Sequence, residues 1–209
     1  MKNEQEKKTR ERNTTYLIIP EKNKTQGYNV FHKKNVIYLD KRLVEKLKKL
    51  YGNNTPLDQL RIFYLINHQV LGYDIHEKIK NIVLLGVNNF YEKEIREKKI
   101  IKENEKLIQY IKKNTNLFTN GERKLSTHHI IPSSRADDIF NTDEFINKID
   151  VDAQFHSDWH ALYVNHTPSE ILSKLFEIHK EILAGKIRKK ISTIIALNNK
   201  EFYRPEVLK

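Results

Sequence analysis

A chain of 209 residues without a single cysteine has to be held together by apolar packing. Disulfide frameworks, thiolate zinc knuckles, iron–sulfur clusters and cysteine nucleophiles are excluded together. Any bound metal has only histidine, carboxylate and carbonyl groups to hold it. Packing material is available, since 38% of the residues are hydrophobic and Ile, Leu and ten Tyr are spread through the chain. One domain of ordinary size with an extension, or two small ones, is expected. No stretch approaches the ~18 apolar residues of a membrane span, so no membrane association is expected. The opening residues, Met1 to Lys8, are charged with no apolar run behind them. No secretory signal is expected, and the location read from the sequence is cytoplasmic.

The apolar spacing outlines the elements. Residues 1–13 read as a flexible basic arm. Thr15–Pro20 reads as a short strand, and Tyr28–Leu39 as a hairpin turning at His32–Asn35. After Asp40, Leu43, Val44, Leu47 and Leu50 fall at helical spacing, ending near Gly52. A second helix is predicted from Pro56 to about Leu71, and a third from near Asp74, continuing with interruptions to about Lys113. Glu92–Lys106 is its charged, exposed stretch. Gly72 between these helices permits a helix-turn-helix or a plain helical hairpin. Asn120-Gly121 is a turn signal, and the boundary is placed there, giving an α+β region over 14–121, a core over 122–166 and helices over 167–209. In the last stretch, Thr167-Pro168 opens one helix, Gly185 breaks it, and Ile187–Leu197 forms another.

Charge is distributed unevenly. Residues 1–121 carry 25 basic and 14 acidic side chains, 122–166 carry 4 and 8, and 167–209 carry 9 and 5. Five of the nine histidines lie in the acidic middle. Basic flanks around a His-rich centre suit a polyanion gripped at the sides while chemistry occurs between them. A solvated lysine face is the plainer explanation for the same counts. Lys186, Arg188, Lys189 and Lys190 form the densest basic run, and Arg135 follows the first histidine motif. These five are the candidate phosphate contacts.

The middle segment holds two motifs. Ser126-Thr-His-His-Ile-Ile-Pro-Ser-Ser-Arg135 reads as a strand ending in a loop. Adjacent strand residues face opposite ways, so His128 and His129 serve one site from different angles only at a strand end. In the second motif, Asp152 is a plausible N-cap for a helix with Phe155, Trp159 and Leu162 inward. His156 and His160, four apart, then project from one face about a turn from each other. That spacing grips one cation with two imidazoles, and His128 or His129 would make a third ligand and leave positions open. His166 and His179 read as bystanders, and Trp159 as core.

Together the doublet, an intervening Asn and His-x-x-x-His resemble the HNH, or His-Me finger, endonuclease superfamily, in its branch with a His-His doublet and a terminal His-x-x-x-His as in colicin-type DNases. The resemblance covers residues 122–166 and the helix after Thr167-Pro168. It implies that His129 is the general base, that His128, His156 and His160 bind one divalent cation (Mg, Mn, Ni or Zn), and that Asn147 braces the loop and orients the base. Asn141 is a rival for that last role. The chain departs from the family in two places. It has no Cys-x-x-Cys pairs to knit a knuckle around the finger, and Ser133–Asp138 stands where glycines are common. Asp150, Asp152 and Asp158 are candidate acceptors for imidazole N–H groups, or plain solvated residues.

The expected fold is therefore α+β, mostly helical. A small ββα-metal finger is embedded between a mixed N-terminal region and a C-terminal helical pair. The expected function is metal-dependent hydrolysis of nucleic-acid phosphodiesters, DNA favoured over RNA, with residues 14–121 free to recognise target, form a homodimer or bind an inhibitor or partner protein. The alternative is a non-catalytic nucleic-acid- or protein-binding module around a structural metal.

Overall fold

The structure, a computed structural model, describes residues 13–17, 36–52, 54–93, 103–113, 124–136 and 139–209. The arm over 1–12, the turn at His32–Asn35, most of Glu92–Lys106, the boundary around Asn120-Gly121, and Asp137 and Asp138 lie outside these residues. The described chain is mostly helical, with two small antiparallel strand pairs.

Strand β1 (Asn13–Leu17) pairs with β2 (Val36–Asp40), Asn13 opposite Asp40 and Leu17 opposite Val36. Among the described residues β2 pairs with the first strand; the Tyr28–Phe31 half of the expected hairpin lies outside them. Helix α1 (Lys41–Tyr51) follows, burying Val44, Leu47 and Tyr51 at helical spacing. Gly52 ends it in the left-handed region (φ 55°), with its N–H on the Lys48 carbonyl at 2.8 Å. A side chain there would be strained, which is why a glycine closes the helix.

Helix α2 (Pro56–Asn67) is the central rod, and all of its residues are buried. Thr55 and Asp58 form a reciprocal capping box at its start, with Pro56 in the first turn. Its one guanidinium, Arg61, is buried and fully employed. It reaches Asp58 Oδ1 at 3.1 Å and the Val83 and Leu85 carbonyls at 2.9 and 3.3 Å. Those carbonyls belong to the end of α3 (Tyr73–Val83) and the turn after it, so Arg61 caps that helix from the side. The first interruption in the helical stretch expected to run on to about Lys113 therefore falls at Val83. Gly86 opens the short α4 (Val87–Phe90), and α5 (Glu105–Lys113) is separate.

Gly72, at the junction of α2 and α3, does more than turn the chain. A Cβ there would come within 2.9 Å of the Glu201 carbonyl. The absence of a side chain lets the C-terminal segment pass, with the Gly72 N–H on the Phe202 carbonyl and Leu71 bridged to Tyr203.

The finger comprises β3 (Leu125–His129), β4 (Lys148–Asp152) and α6 (Ala153–Tyr163), a ββα unit. His128 pairs with Ile149 and His129 with Lys148 in its ladder. After it come α7 (Pro168–His179), capped by Thr167 and Glu170, then α8 (Gly185–Ile195) and the short α9 (Asn199–Phe202). Buried residues of α1 and α2, of the finger (Val151, Trp159), of the loop after β3 (Ile130) and of the C-terminal helices (Ile171, Ile191) belong to one hydrophobic cluster. No helix among the described residues is long and apolar enough to cross a membrane.

Candidate metal centre

Strand alternation determines which histidine of the doublet joins the pair on the helix. Ser126 and His128, two residues apart on β3, face α6, whereas Thr127 turns outward to hydrogen-bond Asp150 at 2.7 Å. Asp152 caps α6 by accepting from the Gln154 and Phe155 N–H groups at 3.0 Å each. Its helical phase puts Trp159, Leu162 and Tyr163 in the core. It leaves His156 and His160 on the face toward β3.

The result is a cluster of three imidazoles. His128, His156 and His160 each offer a ligand atom, all within 4.8 Å of one another, and the group can hold a metal ion. The His128 ring stands edge-on to His156 and His160, with centroids at 5.1 and 5.2 Å. His156 Nε2 and His160 Nε2 approach to 2.8 Å.

Outer contacts set which nitrogens are available. The Val164 carbonyl can only accept, so His160 Nδ1, 3.3 Å away, carries the proton. His156 Nδ1 is taken up by Ser126 Oγ at 2.7 Å. With both Nδ1 atoms engaged, both Nε2 atoms turn toward the shared centre, and two lone pairs at that distance repel unless a proton or cation lies with them. His128 is the most telling member. It is 3% exposed, and neither of its ring nitrogens has a hydrogen-bond partner. Burial, followed by the nearby His160, His156 and His129, pushes it down to about 3. Burial, then His160 and His129, also lowers His156. Both are therefore neutral imidazoles near neutral pH, the state in which they bind metal. A buried, neutral, unpartnered ring beside two converging nitrogens fits a divalent cation by donor type and by lack of any other satisfaction.

His129 is not a member of the three-ring group. It ends β3 half-buried, close enough for its charge to be felt by His128 and His156. Asn147 is wholly buried where the loop enters β4. It accepts from the Ile131 N–H at 2.7 Å and donates to the Ile131 and Thr142 carbonyls, both at 2.9 Å. Its own carbonyl accepts from the Ile130 N–H at 2.9 Å. The loop is thus braced directly behind the doublet, and any hold on His129 runs through the backbone. The rival, Asn141, instead donates to Glu144 at 3.0 Å.

The other candidates lie elsewhere. Arg135 pairs with Glu170 at 3.2 Å, tying the loop after β3 to the cap of α7. Arg188 contacts Glu92 at 3.1 Å and the Leu183 carbonyl at 3.3 Å. Lys186, Lys189 and Lys190 are exposed on α8. Asp158 pairs with Lys49 at 2.9 Å, and Asp152 serves the helix cap. His179 donates to Gln59 Oε1 at 3.0 Å within the core, a structural role.

Sequence reasoning missed Ser126 and Val164, the groups that contact the two helix imidazoles. Val164 carries a second signal. It is a β-branched residue at φ 53°, ψ −118°, in a turn closed by the His166 N–H on the Tyr163 carbonyl at 2.9 Å. These are the angles of the first central residue of a type II′ turn, a position that favours glycine. Comparison with known proteins finds no family model, no curated protein and no solved structure that matches the chain.

Proposed function

We propose that the chain is a metal-dependent endonuclease of the HNH, or His-Me finger, type, hydrolysing phosphodiester bonds of nucleic acid, DNA before RNA. One observation carries the reading. A ββα unit buries His128 with both ring nitrogens unpartnered beside the converging His156 and His160.

In this reading His128, His156 and His160 hold one divalent cation, with Mg, Mn, Ni and Zn as candidates. When bound, it supplies positive charge against the scissile phosphate and the departing oxygen. His129, outside the ligand group and beside it, takes the proton of the attacking water. An imidazole suits that task because it titrates near neutrality, where a free carboxylate is a feebler base. Water oxygen bonds to phosphorus, the bond to the leaving oxygen breaks, and that oxygen is protonated. By resemblance the products carry 5′-phosphate and 3′-hydroxyl ends. Asn147 fixes the loop that follows the base, so the base keeps its position as substrate enters. Three protein ligands, the number in the group among the described residues, support an open reactive site over a closed structural one.

The test is incubation of plasmid, single-stranded DNA and RNA with purified protein across Mg, Mn, Ni and Zn, beside His129→Ala. The variant is expected to bind metal normally by calorimetry while cleavage falls by ~100-fold or more. His156→Ala and His160→Ala are each expected to weaken metal affinity. Near-normal cleavage by homogeneous His129→Ala protein, or unchanged metal binding in both other variants, defeats the proposal.

A further inference from the structure

Lysines on a protein surface usually sit near carboxylates, and several do so here. Lys49, Lys80 and Lys180 pair with Asp158, Glu77 and Glu177 at 2.9, 3.1 and 2.7 Å. The facing sides of α3 and α8 break this pattern. Between these helices lies a groove of about 490 Å³ rimmed by Lys78, Lys186, Lys189 and Lys190. Its lining contains no acidic residue. Among the described residues none of the four lysines has an ion-pair partner.

Helical spacing builds this arrangement. On α3, Lys78 and Ile82 are four apart, and on α8 and its end, Lys186, Lys190, Ile194 and Leu197 recur at three- and four-residue steps. Each helix buries its isoleucine at the groove floor and raises its lysines at the rim. Four ammonium groups held around one cleft repel each other, a cost that a bound polyanion relieves. The groove follows α8 from Lys186 to Leu197, about 16 Å at 1.5 Å per residue. That is long enough for several successive phosphates of one strand, more than a single small anion occupies. The aliphatic floor suits the sugar edge of a backbone and offers no aromatic face for reading bases.

We infer that the α3–α8 groove is a second nucleic-acid site, holding the sugar-phosphate backbone of a strand without reading its sequence. The groove extends the basic run on α8 with an opposing wall, Lys78, supplied by another helix. The identity of the polyanion rests on the nuclease reading; the groove and its charge do not.

The experiment uses full-length protein in EDTA, so that nothing is cleaved, with fluorescein-labelled single-stranded and duplex oligonucleotides followed by anisotropy over a salt series. Lys78→Gln, Lys186→Gln, Lys189→Gln and Lys190→Gln are combined in one variant. Lys48→Gln, Lys112→Gln, Lys113→Gln and Lys200→Gln form a control with the same change in net charge. The groove variant is expected to bind ~10-fold or more weakly at 0.1 M salt, with a log–log salt slope shallower by about three, while the control changes much less. Equal losses in the two variants, or an unchanged groove variant, overturn the inference. So does tighter binding of a labelled poly-glutamate peptide than of oligonucleotide, which would give the groove to an acidic protein. Groove binding without cleavage in any metal would leave the groove standing and the nuclease reading refuted.

Discussion

Replacing His128 with leucine should stabilise the metal-free protein, an unusual sign for a buried residue. Most buried side chains contribute through contacts, and truncating them leaves cavities. His128 is 3% exposed, but both its ring nitrogens lack partners. In the neutral ring one nitrogen is a donor and the other an acceptor, and each unmade buried hydrogen bond costs about 1–3 kcal/mol. Leucine fills a similar volume with no polar atom, and repacking a core swap of this kind costs under ~1.5 kcal/mol. Taking both unmade bonds at the low end of that range, the net gain should be about 0.5–2 kcal/mol, which for a chain of this size is a rise of ~1–8 °C in Tm. Metal should invert the order. At a free concentration ~100 times its Kd, a cation stabilises the native wild type by about 2.7 kcal/mol, while the variant, having lost a ligand, gains little. Differential scanning of both proteins in EDTA and in saturating zinc reads the crossing directly. A clear fall in Tm for His128→Leu in EDTA would mean that the ring is a satisfied core histidine, and the argument for a metal would lose its main support.

Three further outcomes follow from other residues. Val164→Gly should raise stability by about 1 kcal/mol in urea titrations. The strained conformation costs about 1–3 kcal/mol, and glycine's greater unfolded-state freedom offsets part of the relief. Since Val164 is 58% exposed, a loss above ~1 kcal/mol would show that its side chain packs more than its exposure indicates. Asn147→Ala should cost roughly 3 kcal/mol or more, because it leaves the Ile131 N–H and the Ile131 and Thr142 carbonyls buried without their amide partner. An effect under ~1 kcal/mol by denaturant melting would remove the loop brace from the account. His179, held by burial at about 3, is neutral when folded and ionises near its ordinary value when unfolded. Its contribution is therefore complete above pH ~6.5 and lost as pH falls toward 3, at about 1.4 kcal/mol per pH unit. Urea midpoints from pH 7 to 4 should fall less steeply for His179→Leu than for wild type; parallel profiles would contradict the assignment.

The finger was the most legible part of the chain, since its signals are local. Asp152, His156 and His160 belong to one cap and one helix face, so spacing alone places them. The nine residues from Asn147 to His156 keep strand, cap and helix in register. What escaped the sequence was every contact that depends on tertiary placement. Ser126 meets His156 only because β3 lies across α6, 30 residues apart in the chain. Two of the carboxylates that looked suited to orient imidazoles are drawn off by partners distant in the chain, Thr127 for Asp150 and Lys49 for Asp158, while Asp152 is spent on the local cap. Arg135, a fair phosphate candidate by its position after the doublet, is joined to Glu170 across 35 residues. Lys78 reads as one more solvated lysine until α8 is seen opposite it. Where the third helical stretch is interrupted was hidden for the same reason: its apolar spacing resumes beyond Gly86, but Arg61 of α2 binds the carbonyls at its first break.

A finger with no cysteine knuckle still has to hold three imidazoles in position against their mutual repulsion, and the flanking helices do this from both sides. Helix α6 bears two of the rings, so its rigidity determines the geometry of the centre. From α1, the Tyr51 hydroxyl meets that of Tyr163 at 2.6 Å in the core, and Lys49 pairs with Asp158 at 2.9 Å. From α7, Lys174 donates to the Leu162 carbonyl at 3.2 Å, and that helix is fixed in turn to α2 by His179 and Gln59. On the strand side, Asn147 locks the loop behind the doublet. These contacts fall at the C-terminal half of α6, leaving the face with His156 and His160 open toward β3. Apolar packing and a few hydrogen bonds thus do here the work that thiolates and zinc do in small cysteine-bearing zinc domains. Mutations at Tyr51 or Tyr163 should accordingly weaken metal affinity by calorimetry without touching a ligand, because each hydroxyl is the other's buried partner and Tyr163 belongs to the helix that bears two of the rings.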